Sequence, residues 1–420
     1  MFQIDHSGQK TALSQIVNGF KGLIEVGILQ AEEHVPAIGS LSKELICNPA
    51  TTRRAYLELE SQGYLTVEQG QWYVSPRGGE GDRGVGGLYG RIHADLQELI
   101  RRGEDMGDIR RHLGMSEAVY IEIDNLTKRF DSVTALDGFS MGVKKSSIYG
   151  LIGPNGSGKT TALKHLAGIL QPDSGCIRIG GTALTEVHSA ATGYMPDDMY
   201  FLPGYDVKGL EKFFRSRHKK SWNGKRYENL LDLFGFDKDA AQERKISTFS
   251  PGIQKQLGFA LAISAMPDVL LLDETLDGLD PAARKIVLSQ VIEDVSDREM
   301  TVIITSHNMR EIDGICDTVG VIRKGRMAIQ RNLDDMKADV HKIRVAFGKE
   351  TLAKSYPYDG LDVLNVDELG NMDLLVVRGK EEEIAAHISK FEPVIFESMA
   401  LSLDEIFAYD GEGENHEPIN

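Results

Sequence analysis

Apolar residues recur at helical spacing from Thr11 to Ile28, at Leu13, Ile16, Val17, Phe20, Leu23 and Ile24, and predict an amphipathic helix. A short second helix follows at Leu41–Leu45. Asn48-Pro49 then pairs a good N-cap with a residue suited to the first turn, so a third helix is expected from Pro49 to about Gln62, with Thr52, Ala55, Tyr56 and Leu59 inward and Gly63 as its stop. Tyr64–Val67 and Gln71–Val74 alternate around Gly70, the pattern of a β-hairpin. Residues 78–87 are rich in glycine and predict a flexible link; 88–113 return to helical spacing. Beyond them, Val119–Ile123 alternates as a strand. Ile148–Ile152, Val269–Leu272 and Thr301–Thr305 are apolar throughout, as strands buried on both faces require. Towards the C-terminus, strands are expected at Ile343–Phe347, Leu374–Val377 and Pro393–Phe396, with a helix at Glu381–Lys390.

Composition narrows the class. The chain has 420 residues, with 41% hydrophobic and 26% charged, the balance of an ordinary globular protein of two or three domains. No apolar run approaches the ~18 residues of a membrane span, and no secretory signal pattern opens the chain, so a cytoplasmic location is expected. Cys47, Cys176 and Cys316 have neither metal-ligand nor disulfide spacing. The formal charge of −16 disfavours diffuse nucleic-acid binding and leaves only a local patch for any DNA contact.

Gly153-Pro154-Asn155-Gly156-Ser157-Gly158-Lys159-Thr160 fits G-x-x-x-x-G-K-[ST], between the Ile148–Ile152 strand and a helix through Thr161. Strand, glycine loop and helix together form a phosphate cradle. Backbone N–H groups turn inward, and the helix N-terminus adds partial positive charge. Lys159 is placed to reach the β- and γ-phosphates, and the Thr160 hydroxyl to ligate Mg²⁺.

With Asp273-Glu274 ending one strand, Gly278-Leu279-Asp280 following it, and Ser306-His307 ending the next, residues 118–335 resemble the ABC transporter ATPases, an α/β P-loop fold with a helical subdomain. The resemblance implies ATP and Mg²⁺ as ligands. It gives Phe130 an adenine-stacking role, Asp273 the Mg²⁺ side, Glu274 the general base, His307 a γ-phosphate contact and Asp280 a place at a dimer seam. Phe249–Gln256 stands at the signature position, where Ser250 and Gly252 keep the hydroxyl and bare backbone that face the partner's nucleotide. Asp197 stands where the family carries a glutamine and is expected to act as a further Mg²⁺ ligand. A functional site thus implies a homodimer, and transport requires a separate membrane permease that holds the chain peripherally at the inner membrane face. Tyr200, Phe201, Leu202 and Tyr205 offer an aromatic socket for it.

Residues 1–77, three helices and a hairpin, resemble the winged helix-turn-helix of the GntR regulators, and residues 78–117 resemble the dimerisation region of its YtrA-type branch. That implies palindromic operator DNA as a partner, with Asn48, Thr51, Arg53 and Arg54 in the interface. The chain departs from the pattern at Gly39, where an arginine is usual, and at the wing, where Gly70 is followed by Gln71 and Trp72. The segment 1–80 also holds six Lys or Arg against nine Asp or Glu. Residues 336–420 are expected to form a small α+β domain, with a helix near Ser402–Phe407 and a disordered tail from Gly411. The resulting expectation is a multidomain transport ATPase that also binds operator DNA. Two alternatives stand beside it: an ATP-sensing regulator that transports nothing, or a transport ATPase whose N-terminal module contacts only protein.

Overall fold

The computed structural model describes residues 2–4, 11–68, 70–76, 119–184, 192–201, 204–236, 244–348, 358–370, 372–399, 401, 405, 406 and 409. The expected connector at 78–117, Leu202, most of the expected closing helix and the tail from Gly411 lie outside them.

The N-terminal module opens with α1 (Ala12–Glu25), whose N-cap Thr11 accepts the Ser14 amide. It is followed by α2 (Ile38–Leu45) and α3 (Pro49–Ser61). Between α2 and α3 the chain turns at Ile46, in the left-handed region at φ 50°. Asn48 caps α3 through the Ala50 amide at 2.7 Å, as its sequence predicts. β1 (Leu65–Glu68) and β2 (Gln71–Val74) pair antiparallel. Ile16, Phe20, Leu41, Tyr56, Leu59 and Leu65 close one core beneath them.

The central part is built on two sheets. β3 (Val119–Phe130) and β4 (Val133–Lys144) form a long antiparallel pair that continues into β6 (Ser174–Ile179) and β7 (Thr182–Ala183). Only Val119–Ile123, at the start of β3, was expected as a strand. Register shifts between Ile123 and Leu126, and again at Lys128, break the alternation that reveals strands in sequence. The second sheet has the order β12-β11-β5-β10-β9-β8. From β11 to β8 all neighbours are parallel, and β12 is an antiparallel edge. Its members are β5 (Ile148–Ile152), β8 (Thr192–Met195), β9 (Val269–Asp273), β10 (Thr301–Ser306), β11 (Thr318–Arg323) and β12 (Arg326–Asn332). β5, β9 and β10 are buried at every position, which is why they are apolar throughout.

Helices cover this sheet. α4 (Lys159–Leu166) follows β5; α5 (Val207–Arg217), α6 (Gly224–Leu233) and α7 (Pro251–Ser264) precede β9; α8 (Pro281–Arg298) precedes β10. A short α9 (Met309–Ile312) and then α10 (Leu333–Asp339) lead into the C-terminal sheet. That sheet has the order β14-β15-β13-β16, from β13 (Val340–Ala346), β14 (Asp362–Leu369), β15 (Met372–Arg378) and β16 (Ile395–Met399), with α11 (Glu381–Ser389) packed through Ile384 and Ile388. β14 was not expected from the sequence; a bulge between Val363 and Asn365 interrupts its pattern. No helix of the described residues is long and apolar enough to cross a membrane.

The N-terminal module lies against the central part, with α2 along α8 and the start of α3 beside α10. Three of the four residues expected at the DNA face have partners in the central part. Asn48 and Thr51 are buried, and Arg54 reaches Asp334 and Asp335. Of the four residues only Arg53 is exposed without such a contact among the described residues. Helical spacing tells which residues share a face. It does not tell which neighbour covers that face.

Candidate active site

β5 ends at Ile152, and the chain turns through Gly153–Gly158 into α4. Gly158 sits at φ 113°, and a Cβ there would lie 2.7 Å from the Ala135 carbonyl oxygen. A Cβ on Gly153 would lie 2.4 Å from the Ile322 carbonyl oxygen. The loop therefore packs so tightly on β4 and β11 that its glycines cannot be replaced without moving it. Gly156 is also left-handed, at φ 78°. Ser157 Oγ is buried with no hydrogen-bond partner among the described residues, an uncommon state for a hydroxyl and one that an incoming phosphate oxygen would relieve.

Lys159 is 4% exposed. Its ammonium donates to the Gly153 carbonyl at 2.7 Å and pairs with Glu274 Oε1 at 3.0 Å. Thr160 Oγ1 donates to Asp273 Oδ1 at 3.2 Å, and Thr305 Oγ1 donates to the same oxygen at 2.7 Å. Tyr194 donates its hydroxyl to Asp273 Oδ2 at 3.1 Å. Burial, and then the Asp273 carboxylate, push the Tyr194 phenol above its usual range, so it stays a donor. One hydroxyl and one buried carboxylate side by side are hard oxygen donors that suit Mg²⁺.

Glu274 is strained, at φ 46°. Its amide is held by Thr305 Oγ1 at 3.0 Å, and its Oε2 lies 3.1 Å from His307 Nδ1. Asp277 lies 3.4 Å from the same ring nitrogen. The structure thus brings together the base and histidine expected from sequence, on the ends of neighbouring parallel strands. Phe130 is 43% exposed at the end of β3, with its ring accessible apart from Lys128 Nζ 5.7 Å above it.

Asp197 has a partner that the sequence did not show. Its carboxylate takes the Lys255 ammonium at 2.9 Å. Lys255 is buried and donates further to the carbonyls of Glu274, at 3.2 Å, and Asp277, at 2.9 Å. No hydrogen bond joins Asp197 to Thr160 or Asp273 among the described residues. Asp197 is thus the counter-charge of a lysine that grips the backbone of the expected base. Sequence reading missed the roles of Lys255 and Tyr194, since their partners lie 58 and 79 residues away in the chain. The one available signal was an unusual carboxylate at 197 together with a lysine in the signature segment.

Ser250 caps α7, accepting the Ile253 amide at 3.4 Å, and Pro251 takes the first turn. A Cβ on Gly252 would lie 2.9 Å from the Gly278 carbonyl oxygen, so this position has no room for a side chain either. Asp280 caps α8 through the Ala283 amide at 2.9 Å.

The family profile described as ABC transporter matches residues 136–277, from β4 past the expected base. The chain is 34% identical over 221 residues to the uncharacterized ABC transporter ATP-binding protein YcbN of Bacillus subtilis, covering 52% of this chain and 71% of that one. This chain belongs to the ABC transporter ATP-binding proteins. The cassette is also 33% identical over 223 residues to the bacitracin transport ATP-binding protein BcrA of Enterococcus faecalis, covering 51% and 70%. The ABC transporter ATP-binding protein YtrB of Bacillus subtilis is 27% identical over 289 residues, covering 96% of its own length and 68% of this chain. About a third of the present chain is therefore outside that match.

Proposed function

We propose that the protein is the Mg²⁺-dependent, ATP-hydrolysing subunit of a transporter, working as a two-fold pair beside a separate membrane permease on the inner face of the membrane. The observation that carries this reading is the convergence of Lys159, Thr160, Asp273, Glu274 and His307 on one point at the C-terminal edge of a parallel sheet.

The roles follow from the contacts. The loop amides and Lys159 bind the phosphate chain, and Phe130 offers its ring to the base. Thr160 and Asp273 would hold Mg²⁺, which when bound neutralises charge on the phosphate oxygens. Glu274 orients a water and takes its proton, and His307 holds the Glu274 carboxylate in place. Lys159 now pairs with Glu274, so phosphate must compete for the ammonium before the carboxylate is free to act. Ser250 and Gly252 of one protomer face the nucleotide of its partner, which is why the pair is needed. Tyr200, 79% exposed, is the accessible member of the aromatic group offered to the permease; Phe201 and Tyr205 pack into the core.

Lys255 belongs to this account as a positioning residue. The left-handed backbone at Glu274 persists only while both sides of it are held. Lys255→Gln is expected to lower kcat roughly tenfold with little change in the KM for ATP, and Lys255→Arg to recover most of it. A raised KM with unchanged kcat would instead place Lys255 in substrate binding.

A second reading adds operator DNA as a partner. Its support is the order of three helices and a hairpin in the N-terminal module, with α3 capped where a recognition helix would begin. The transport reading is tested by co-expression with a membrane protein encoded beside the gene. The pair should purify together, and the permease should alter the turnover of the bound cassette. Separate elution under conditions that preserve other transporters would remove the transport assignment.

A further inference from the structure

The N-terminal module meets the cassette through one continuous face, made of α2, the turn after it and the first turns of α3. Asn48 Nδ2 donates to the Ile315 carbonyl at 2.7 Å, and the Asn48 amide to that of Gly314 at 3.2 Å. Thr51 Oγ1 donates to Asp334 Oδ2 at 3.1 Å. Arg54 lies 3.3 Å from Asp334 and 3.4 Å from Asp335. Lys43 pairs with Glu293 of α8.

Gly39 completes the face from the other end. A Cβ on it would fall 2.4 Å from Ser296 Oγ and 2.8 Å from Asp297 Oδ1. Its φ is not left-handed and it lies inside a helix, so backbone conformation does not require a glycine there. The close approach of α8 favours one, since a side chain there would have to push the Ser296 and Asp297 side chains aside. Gly39 is also one of the two places where the resemblance to DNA-binding modules breaks, and the surface of α8 supplies a physical reason.

Charge points the same way. Lys43 and Arg54 face Glu293, Asp334 and Asp335, the sign a phosphate backbone would present. The hydrogen bonds from Asn48 and Thr51 go to a carbonyl and a carboxylate, where base edges or phosphates would offer acceptors to the same donors.

We infer that the face of the N-terminal module suited to DNA is the docking surface for the chain's own ATPase domain, so that duplex DNA and the cassette compete for it. The competition rests on the second reading above; the docking does not. α8 is capped by Asp280, beside the proposed nucleotide site, so the docked module rests on a helix that starts next to that site.

Two variants open the face without changing charge. Ser296→Phe places a ring against Gly39 from the cassette side and leaves the module's sequence intact. Gly39→Leu does the same from the module side. Amide hydrogen exchange on the full chain reads docking directly, and a pool of random-sequence duplexes at low salt reads DNA binding. In the unmodified chain the Asn48 amide is expected to be protected and duplex binding weak. Both variants are expected to lose protection at Asn48 while keeping it in β9 and β10, and to bind duplex roughly tenfold or more tightly, as a face docked nine-tenths of the time requires. Fast exchange at Asn48 in the unmodified chain overturns the docking. Equal, measurable duplex affinity in all three proteins overturns the competition. If Asn48 is protected but no protein binds duplex, the DNA reading of the module falls and takes the competition with it.

Discussion

Glu274→Gln is expected to keep ATP binding and to lose at least about a hundredfold in hydrolysis, the scale of a general base removed from its place. Gln keeps the shape and can still face His307, but it cannot take a proton from water. The contacts add a second expectation. Lys159 now shares its ammonium between the Gly153 carbonyl and the Glu274 carboxylate. An incoming phosphate must displace that carboxylate, and a neutral amide is the weaker competitor. Nucleotide affinity should therefore rise in the variant as turnover falls, which equilibrium binding and steady-state phosphate release separate. A loss of affinity and turnover together would mean that Glu274 supports the fold of the site instead of its chemistry.

Asp294→Ala is expected to produce the largest loss of stability. Asp294 lies on the inner side of α8, 2% exposed, with Arg226 of α6 at 2.6 Å and Arg298 at 3.2 Å. Burial raises its carboxyl even though both guanidinium groups oppose the shift, so the ion group is held in a poorly hydrated place. Removing the one anion strands two cations there, at a cost of about 3–5 kcal/mol. Replacing Arg226, Asp294 and Arg298 together with apolar residues should cost much less, since no unpaired charge remains. Urea midpoints of the two variants make the comparison. Equal midpoints for both variants would show that the cluster contributes volume and not charge balance.

Legibility in the sequence followed the range of the interactions involved. The phosphate loop was readable because its chemistry is contiguous: the glycines, Lys159 and Thr160 act within one turn of chain. β5, β9 and β10 were readable because burial on both faces leaves an unbroken apolar run. The cap of α3 was readable because Asn48 bonds an amide two residues away. What escaped depends on distant partners or broken periods. β3 and β4 extend through bulges that hide the alternation. Tyr194 meets Asp273 across 79 residues, and Lys255 meets Asp197 across 58. Nothing near Asp197 in the sequence shows that Lys255 is its neighbour in space. The partners of Asn48, Thr51 and Arg54 within the chain were hidden in the same way. Their face was found, but its occupant lay more than 260 residues away in the chain.

The most direct test of the central claim is phosphate release from Mg-ATP by the purified full chain, measured beside Lys159→Ala. The phosphate loop holds Lys159 at 4% exposure with its ammonium at the base of the site, so its loss removes phosphate binding without opening a surface. Release by the unmodified chain should saturate with ATP and stop when Mg²⁺ is chelated, and Lys159→Ala should show none above background. Equal release by both proteins, or none by the unmodified chain at saturating Mg-ATP, would contradict it.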